Sequence, residues 1–303
     1  MIPIAHPLLG VEEQEAVLRV LTSTQLAQGE HVAAFERRFA EVCHVREAVA
    51  VSSGTVALHD EPSKGTPRFQ QGAISSIHIP LLDLRAQNQT IKHEVMASFE
   101  DVLEHIQLFL GPQCQAFEQE FATYCGGCQD GVGFSNGTHV LALALHACGI
   151  GDGDEVITVA NTFIATFEAI ALVGAKPIFV DVDPDTYAID WRQLDRVLTP
   201  RTRAIITVHL HGQPVDMQPV MDFARAHGLR VIEDASQAHG ATYRGQRVGS
   251  LGDIGCFSLY YRKNLGAYGE AGICVTNDAA LAGNLRMLRD HGSHVRYRHE
   301  VLG

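Results

Sequence analysis

Two stretches of this chain carry groups that can do chemistry together. One is Leu229-Arg230-Val231-Ile232-Glu233-Asp234, an apolar run ending in two carboxylates and followed by Ala235-Ser236-Gln237-Ala238-His239-Gly240. The other is Gly255-Cys256-Phe257-Ser258-Leu259-Tyr260-Tyr261, which leads into Arg262-Lys263-Asn264-Leu265-Gly266. An acid at the end of one buried strand and a lysine just past another make the pairing that pyridoxal phosphate requires, the amine bonding the cofactor and the acid partnering its pyridinium nitrogen. Gln237, one helical turn beyond Asp234, can donate to the ring hydroxyl, and Ser258, five residues before Lys263, can offer a hydroxyl to the phosphate. A lysine in a loop rich in glycine and aromatic residues is partly desolvated, which lowers its pKa toward that of a useful nucleophile and base.

Further candidates lie upstream. Gly137-Thr138 follows a short apolar stretch and opens a helix, where free N–H groups and a hydroxyl suit either a phosphate or an ordinary cap. Phe163 follows the run Val156–Ala160 and can stack on a planar ring or pack in the core. Gly131-Val132-Gly133-Phe134-Ser135-Asn136-Gly137 has one residue too many before its last glycine for a dinucleotide fingerprint. Asp181 and Asp183 fit a solvated turn better than a metal site, and His209 and His211 fit hydrogen-bonded loop histidines better than zinc ligands. Cys125-Gly126-Gly127-Cys128 has redox or half-zinc-site spacing, but no second pair completes four ligands, so a turn is expected and no metal is assigned.

The elements that must hold these groups alternate in type. Short, β-rich apolar runs recur at 156–160, 177–180, 204–208 and 229–232. Helical patterns lie between them, such as Met217–Ala224 closed by Gly228. Runs without polar alternation, separated by helices, predict an α/β fold with a mostly parallel sheet covered on both faces. Ligands of such sheets bind beyond the carboxyl ends of the strands, where Asp234 falls. A last helix is expected over Asp278–Arg289, with Leu281, Leu285 and Leu288 on one face.

The opening of the chain occurs twice. Gly29–Cys43 aligns without gaps on Gly111–Cys125, pairing Phe35 with Phe117 and Phe39 with Phe121, and the register continues with a one-residue shift from Ser53-Gly54-Thr55 to Asn136-Gly137-Thr138. Residues 1–60 therefore read as a surplus partial copy, 61–76 as a linker rich in proline, glycine and polar residues, and 77–303 as the functional unit.

The whole chain has 303 residues, 46% hydrophobic and 19% charged, enough for a sizeable core. A net charge of −12 argues against a general nucleic-acid or anionic-membrane binder. No run reaches membrane-spanning length and the N-terminus lacks a signal-like apolar segment, so a cytoplasmic location is expected.

Ser135-Asn136-Gly137-Thr138, Asn161–Thr166, Ile232–Gly240 and Lys263–Glu270 together resemble the DegT/DnrJ/EryC1/StrS family of sugar aminotransferases, from about Ile77 to Gly303. Residues 1–60 resemble the opening of another member. The resemblance implies the large domain of the fold type I transferases that use pyridoxal 5'-phosphate, with the C-terminal small domain missing. It implies Lys263 as the catalytic, cofactor-bonding lysine, Asp234 at the pyridine nitrogen, Gln237 at the ring hydroxyl, Gly137, Thr138 and Ser258 at the phosphate, and Phe163 on the ring. It further implies amino transfer from glutamate or glutamine to a nucleotide-linked keto-sugar, in a homodimer when the chain is complete. The alternative is an inactive truncated or fused fragment acting only by association.

Overall fold

The runs read as strands do pair into one sheet. In this computed structural model the described residues are 15–17, 19–20, 29–43, 45–50, 84–295, 297–301 and 303. The linker expected at 61–76, the Ser53-Gly54-Thr55 counterpart and the opening at Ile77 lie outside them. By packing, the chain divides into two units, Met1–Glu100 and Asp101–Gly303.

The first unit contains helix α1 (Glu30–Cys43). Helix α2 (Leu84–Glu104) follows, and the second unit then continues with α3 (Pro112–Tyr124), β1 (Asp130–Phe134), α4 (Gly137–Ala147), β2 (Glu155–Val159), α5 (Ala165–Leu172) and β3 (Lys176–Val180). After these come α6 (Leu194–Val197), β4 (Thr202–Val208), α7 (Met217–His227), β5 (Arg230–Asp234) and a small ribbon of β6 (Thr242–Tyr243) and β7 (Gln246–Arg247). The last elements are β8 (Ile254–Ser258), β9 (Gly272–Thr276), α8 (Ala279–Arg289), β10 (Ser293–Val295) and β11 (Arg298–His299).

The seven-stranded sheet has the order β1-β9-β8-β5-β4-β2-β3. Pairs β3·β2, β2·β4, β4·β5 and β5·β8 are parallel, while β9 runs antiparallel to both β8 and β1. The expectation of a mostly parallel sheet is met, and the reversed strand is an addition to it. Consecutive residues of one strand face opposite layers, so both layers must be apolar. Val156, Ala204, Ile206, Ile232, Ile254 and Cys256 pack with α4, α5 and α8. Ile157, Ile205 and Val231 pack on the other side with α7. Phe257, Ile273 and Val275 meet Phe121 and Ala122 of α3 there.

Local signals set the helix ends. Asn136 caps α4 by accepting from the His139 N–H at 2.9 Å, and Asp278 caps α8 by accepting from Ala280 and Leu281. Gly228 closes α7 at φ 65°, the left-handed position expected of it. Leu281, Leu285 and Leu288 are all buried, as their spacing predicts.

The two aligned openings repeat one internal contact. In α1, Phe35 and Phe39 lie 5.7 Å apart and Glu36 accepts the Ala50 N–H at 2.9 Å. In α3, Phe117 and Phe121 lie 5.6 Å apart and Glu118 accepts the Gly133 N–H at 2.7 Å. The helices differ in what surrounds that contact: Phe121 is 4% exposed, whereas Phe39 is 49% exposed.

Glu233 of β5 is a fully buried carboxylate. Its carboxylate accepts from the His209 ring at 3.0 Å and from the main-chain N–H groups of Gly249, Leu251 and Gly252 at 2.8, 2.7 and 2.7 Å. The Val215 N–H donates to His209 Nδ1 at 3.1 Å, which assigns the ring proton to Nε2. Both side chains are fully out of solvent. Glu233→Ala removes one acceptor from four buried donors and is expected to lower unfolding free energy by about 3–5 kcal/mol, read from urea midpoints.

Candidate active site

The site is built at the edge where the carboxyl ends of β2, β4, β5 and β8 meet. Asp234 ends β5 and is 6% exposed. Its Oδ2 accepts from the Thr166 hydroxyl at 2.8 Å and its Oδ1 from the Ser236 N–H at 3.1 Å. Thr166 in turn lies 2.9 Å from the Thr162 hydroxyl, and since Thr166 donates to Asp234 it accepts from Thr162. Two donors hold the carboxylate in one orientation and leave lone pairs for a further partner. Thr166 was quoted in the sequence only as part of a motif; its spacing of four from Thr162, at the start of α5, is the signal that would have found it.

Gln237 lies in the turn after Asp234 rather than on a helix, which corrects the expectation that it sits one helical turn on. Its Oε1 accepts the His211 N–H at 3.0 Å. That bond assigns the amide: the oxygen is used, so the NH2 end is the one offered to a ligand. His211 adopts φ 54°, a left-handed conformation, in the short turn after β4. The two histidines read as loop residues thus have separate structural work, His209 on Glu233 and His211 on Gln237.

Ser258 ends β8 and stands in register with Gly272 of β9, which also opposes Phe134 of β1. The Tyr260 N–H donates to Ser258 Oγ at 3.3 Å, so the hydroxyl proton can be given elsewhere. The N-terminus of α4 abuts this side chain: a Cβ at Gly137 would stand 2.6 Å from Ser258 Cβ. Only glycine fits there, and the first N–H groups of α4 together with the half-buried Thr138 and buried Ser258 hydroxyls form a cradle of donors at the positive end of a helix. Gly131, by contrast, is a packing glycine, since a Cβ there would meet the Glu118 carbonyl at 2.3 Å.

Lys263 sits in the connection from β8 to β9. Leu259 and Ala271 close that connection at 2.8 Å, and the Lys263 N–H bonds the Tyr260 carbonyl at 2.8 Å. The side chain is half-buried. Burial pushes its amine below the usual range, and the Asp234 carboxylate pulls it part of the way back. Phe163, between β2 and α5, is 65% exposed, so its ring face is open to a ligand rather than packed in the core.

Asp183 accepts from Asp185 and Thr186 N–H groups and pairs with Arg192 at 2.6 Å in a turn. Burial pushes the Cys125 and Cys128 thiols to about 12 and about 11, and no group of three or more metal-ligating side chains gathers among the described residues. No helix of the described residues is long and apolar enough to cross a membrane.

A pyridine ring carrying a phosphate and a hydroxyl fits the groups left over here: a donor cradle at α4, an oriented buried carboxylate, a fixed amide NH2, an exposed aromatic face and a half-buried amine. The sequence matches the profile of the DegT/DnrJ/EryC1/StrS aminotransferase family over residues 7–60 and 89–303. It is 51% identical over 225 residues to the UDP-N-acetyl-3-dehydro-alpha-D-glucosamine 3-aminotransferase of Acidithiobacillus ferrooxidans, covering 74% of this chain and 61% of that protein. It is 44% identical over 225 residues to the dTDP-3-amino-3,4,6-trideoxy-alpha-D-glucose transaminase of Streptomyces venezuelae, covering 74% and 59%. Among solved structures, S. venezuelae DesV superposes with a TM-score of 0.73 at 44% identity, covering 75% of this chain and 61% of that one. The ntda protein of Bacillus subtilis with bound cofactor PMP gives 0.70 at 32% identity, covering 76% and 52%. The chain thus spans about six tenths of the length of the curated relatives it matches.

Two outcomes follow for this site. Gly137→Ala drives a methyl into Ser258 and is expected to destabilise the chain by about 1–3 kcal/mol, whereas Gly151→Ala, whose Cβ would meet only the Val173 carbonyl at 3.6 Å, is expected to change little in the same urea titration. His239 supplies a pH dependence, because burial and the nearby Lys263 charge push its imidazole from 6.5 to about 4. The unfolded chain therefore binds that proton first, so stability that is whole above about pH 6.5 falls toward about pH 4, by at most about 1.4 kcal/mol per unit. Urea midpoints at pH 7 and pH 5 should converge in His239→Phe relative to the wild type.

Proposed function

The chain belongs to the DegT/DnrJ/EryC1/StrS aminotransferase family, and from that premise we propose that it is a pyridoxal-phosphate-dependent aminotransferase moving an amino group from glutamate or glutamine to a nucleotide-linked keto-sugar. The observation that carries the reading is Lys263 with Asp234: a half-buried amine and an oriented buried carboxylate at one sheet edge, close enough for the carboxylate's charge to act on the amine. The relatives' names support the substrate class, since each describes amino transfer to a nucleotide-linked sugar. The PMP held by the Bacillus subtilis protein supports the cofactor.

When bound, pyridoxal phosphate supplies an electron-accepting ring that stabilises negative charge on the carbon bearing the amino group. Asp234 Oδ would keep a proton on the pyridine nitrogen, which would strengthen that acceptor, and Thr166 with the Ser236 N–H holds the carboxylate in one orientation for it. Gln237 offers its NH2 to the ring hydroxyl. Gly137, Thr138 and Ser258 hold the phosphate, and Phe163 covers one ring face. Lys263 Nζ would hold the cofactor and would carry the proton at the amino-bearing carbon, a task suited to an amine whose pKa burial has lowered.

Residues 1–60 we read as a partial copy of the opening that precedes β1. The matched phenylalanine pairs and the matched Glu36–Ala50 and Glu118–Gly133 contacts support that reading. Residues 77–303 we read as the cofactor-binding large domain, acting on small molecules, with a second copy of the chain as its partner.

Reconstitution tests the assignment. The full chain mixed with pyridoxal phosphate should develop a visible absorbance band that Lys263→Ala abolishes, and glutamate should bleach it. A chain that shows no lysine-dependent band is not a catalyst of this kind, and the association reading would replace it.

A further inference from the structure

His239 has a buried imidazole whose two nitrogens have no hydrogen-bond partner. It lies two residues beyond Gln237, its ring 6.4 Å from Phe121 in an edge contact and 5.4 Å from Phe257 in a tilted one. Phe121 comes from α3 and Phe257 from β8, immediately before Ser258. Aromatic packing on two sides fixes the ring without using its polar atoms. Buried polar groups in native proteins are almost always paired, so an unpaired imidazole beside a reactive site calls for a partner that arrives during function.

The groups around the ring narrow that partner. The ring rests on Phe257, and the chain from there turns through Ser258 and Tyr260, whose carbonyl bonds the Lys263 N–H at 2.8 Å; burial first, and then the Lys263 charge, keep the imidazole neutral. The Ser258 main chain lies beside the ring and favours a proton there, without forming a hydrogen bond. A neutral imidazole with one nitrogen turned to the Ser258 carbonyl carries a lone pair on the other. Asp234 is the charged group that acts on Lys263, but the lone pairs left free by Thr166 and Ser236 are the ones assigned above to the pyridine nitrogen.

We propose that His239 receives the Lys263 amine whenever that amine is not bonded to the cofactor: the neutral ring accepts a hydrogen bond from the Lys263 ammonium and keeps it beside the reacting carbon. His239 is then a positioning residue, acting through Lys263 and not on the substrate. The inference rests on Lys263 being the cofactor lysine, as proposed above. It accounts for why a histidine and not a leucine occupies an aromatic-lined position next to the site.

The test uses the full chain without cofactor, so that transaminase activity does not enter. Acetic anhydride labelling of Lys263, followed by mass spectrometry across pH, gives the apparent pKa of the amine. His239→Phe keeps the aromatic packing and removes the acceptor, so the ammonium loses a partner, its pKa falls and labelling at a fixed pH near neutrality rises several-fold. His239→Asn keeps a carbonyl acceptor and should stay within about twofold of wild type. Unchanged labelling in His239→Phe would overturn the proposal, and so would slower labelling, which would mean that the imidazole is charged and repels the amine. Should His239→Phe fail to fold, imidazole nitrogen shifts of His239 in the wild type and in Lys263→Met decide the matter: the acceptor nitrogen moves if the contact exists, and identical shifts overturn it. A chain that binds no pyridoxal phosphate would sink the aminotransferase reading and leave both measurements intact.

Discussion

The arrangement depends on one buried carboxylate that does no chemistry. Glu233 draws together the His209 ring and three main-chain donors, Gly249, Leu251 and Gly252, from one loop. A carboxylate removed from water requires several donors to replace its hydration, and four is close to what its two oxygens can accept. Meeting that demand pins the end of β4, the end of β5 and the loop before β8 to one another. The His209 N–H bonds the Asp234 carbonyl at 3.0 Å, and His211 two residues on bonds Gln237. Glu233 and Asp234 are neighbours facing opposite ways, so the first sets the frame in which the second meets a ligand.

Much of this was legible in the sequence, for reasons of local physics. The buried strands lacked polar alternation because both faces are covered, and the catalytic candidates fell at strand ends because a parallel sheet puts its loops there. Spacing alone found α8 and the α7 cap. The reversed strand β9 was not legible: Gly272-Ile273-Cys274-Val275-Thr276 reads like any other buried run, and direction is a property of pairing. Thr166, His209 and His211 were seen as residues but not as partners, since hydrogen bonds spanning 24 to 68 positions leave no periodic trace. The amide orientation of Gln237 likewise exists only once the turn after β4 is in place.

The duplicated opening separates what a helix sequence specifies from what its surroundings specify. Both copies form a helix, bring two phenylalanines together and turn a glutamate onto a following N–H. Burial differs, because α3 has Phe257, Ile273 and Val275 to cover it. Local interactions thus reproduce the element, and tertiary packing alone makes Phe121 a core residue while Phe39 stays 49% exposed.

The antiparallel run of β9 carries a last implication. Every other connection between successive strands of the described sheet must travel to the far edge and return to it, whereas the chain from Leu259 to Ala271 leaves and re-enters at the same edge. Its closure entropy is that of a hairpin, small and local, and its ends are tied by the β8–β9 ladder itself. The lysine therefore rides on the part of the sheet that evolution can lengthen, stiffen or re-sequence most freely, while the aspartate opposite it is fixed by contacts from three strands. Reach and anchor are thus separately adjustable.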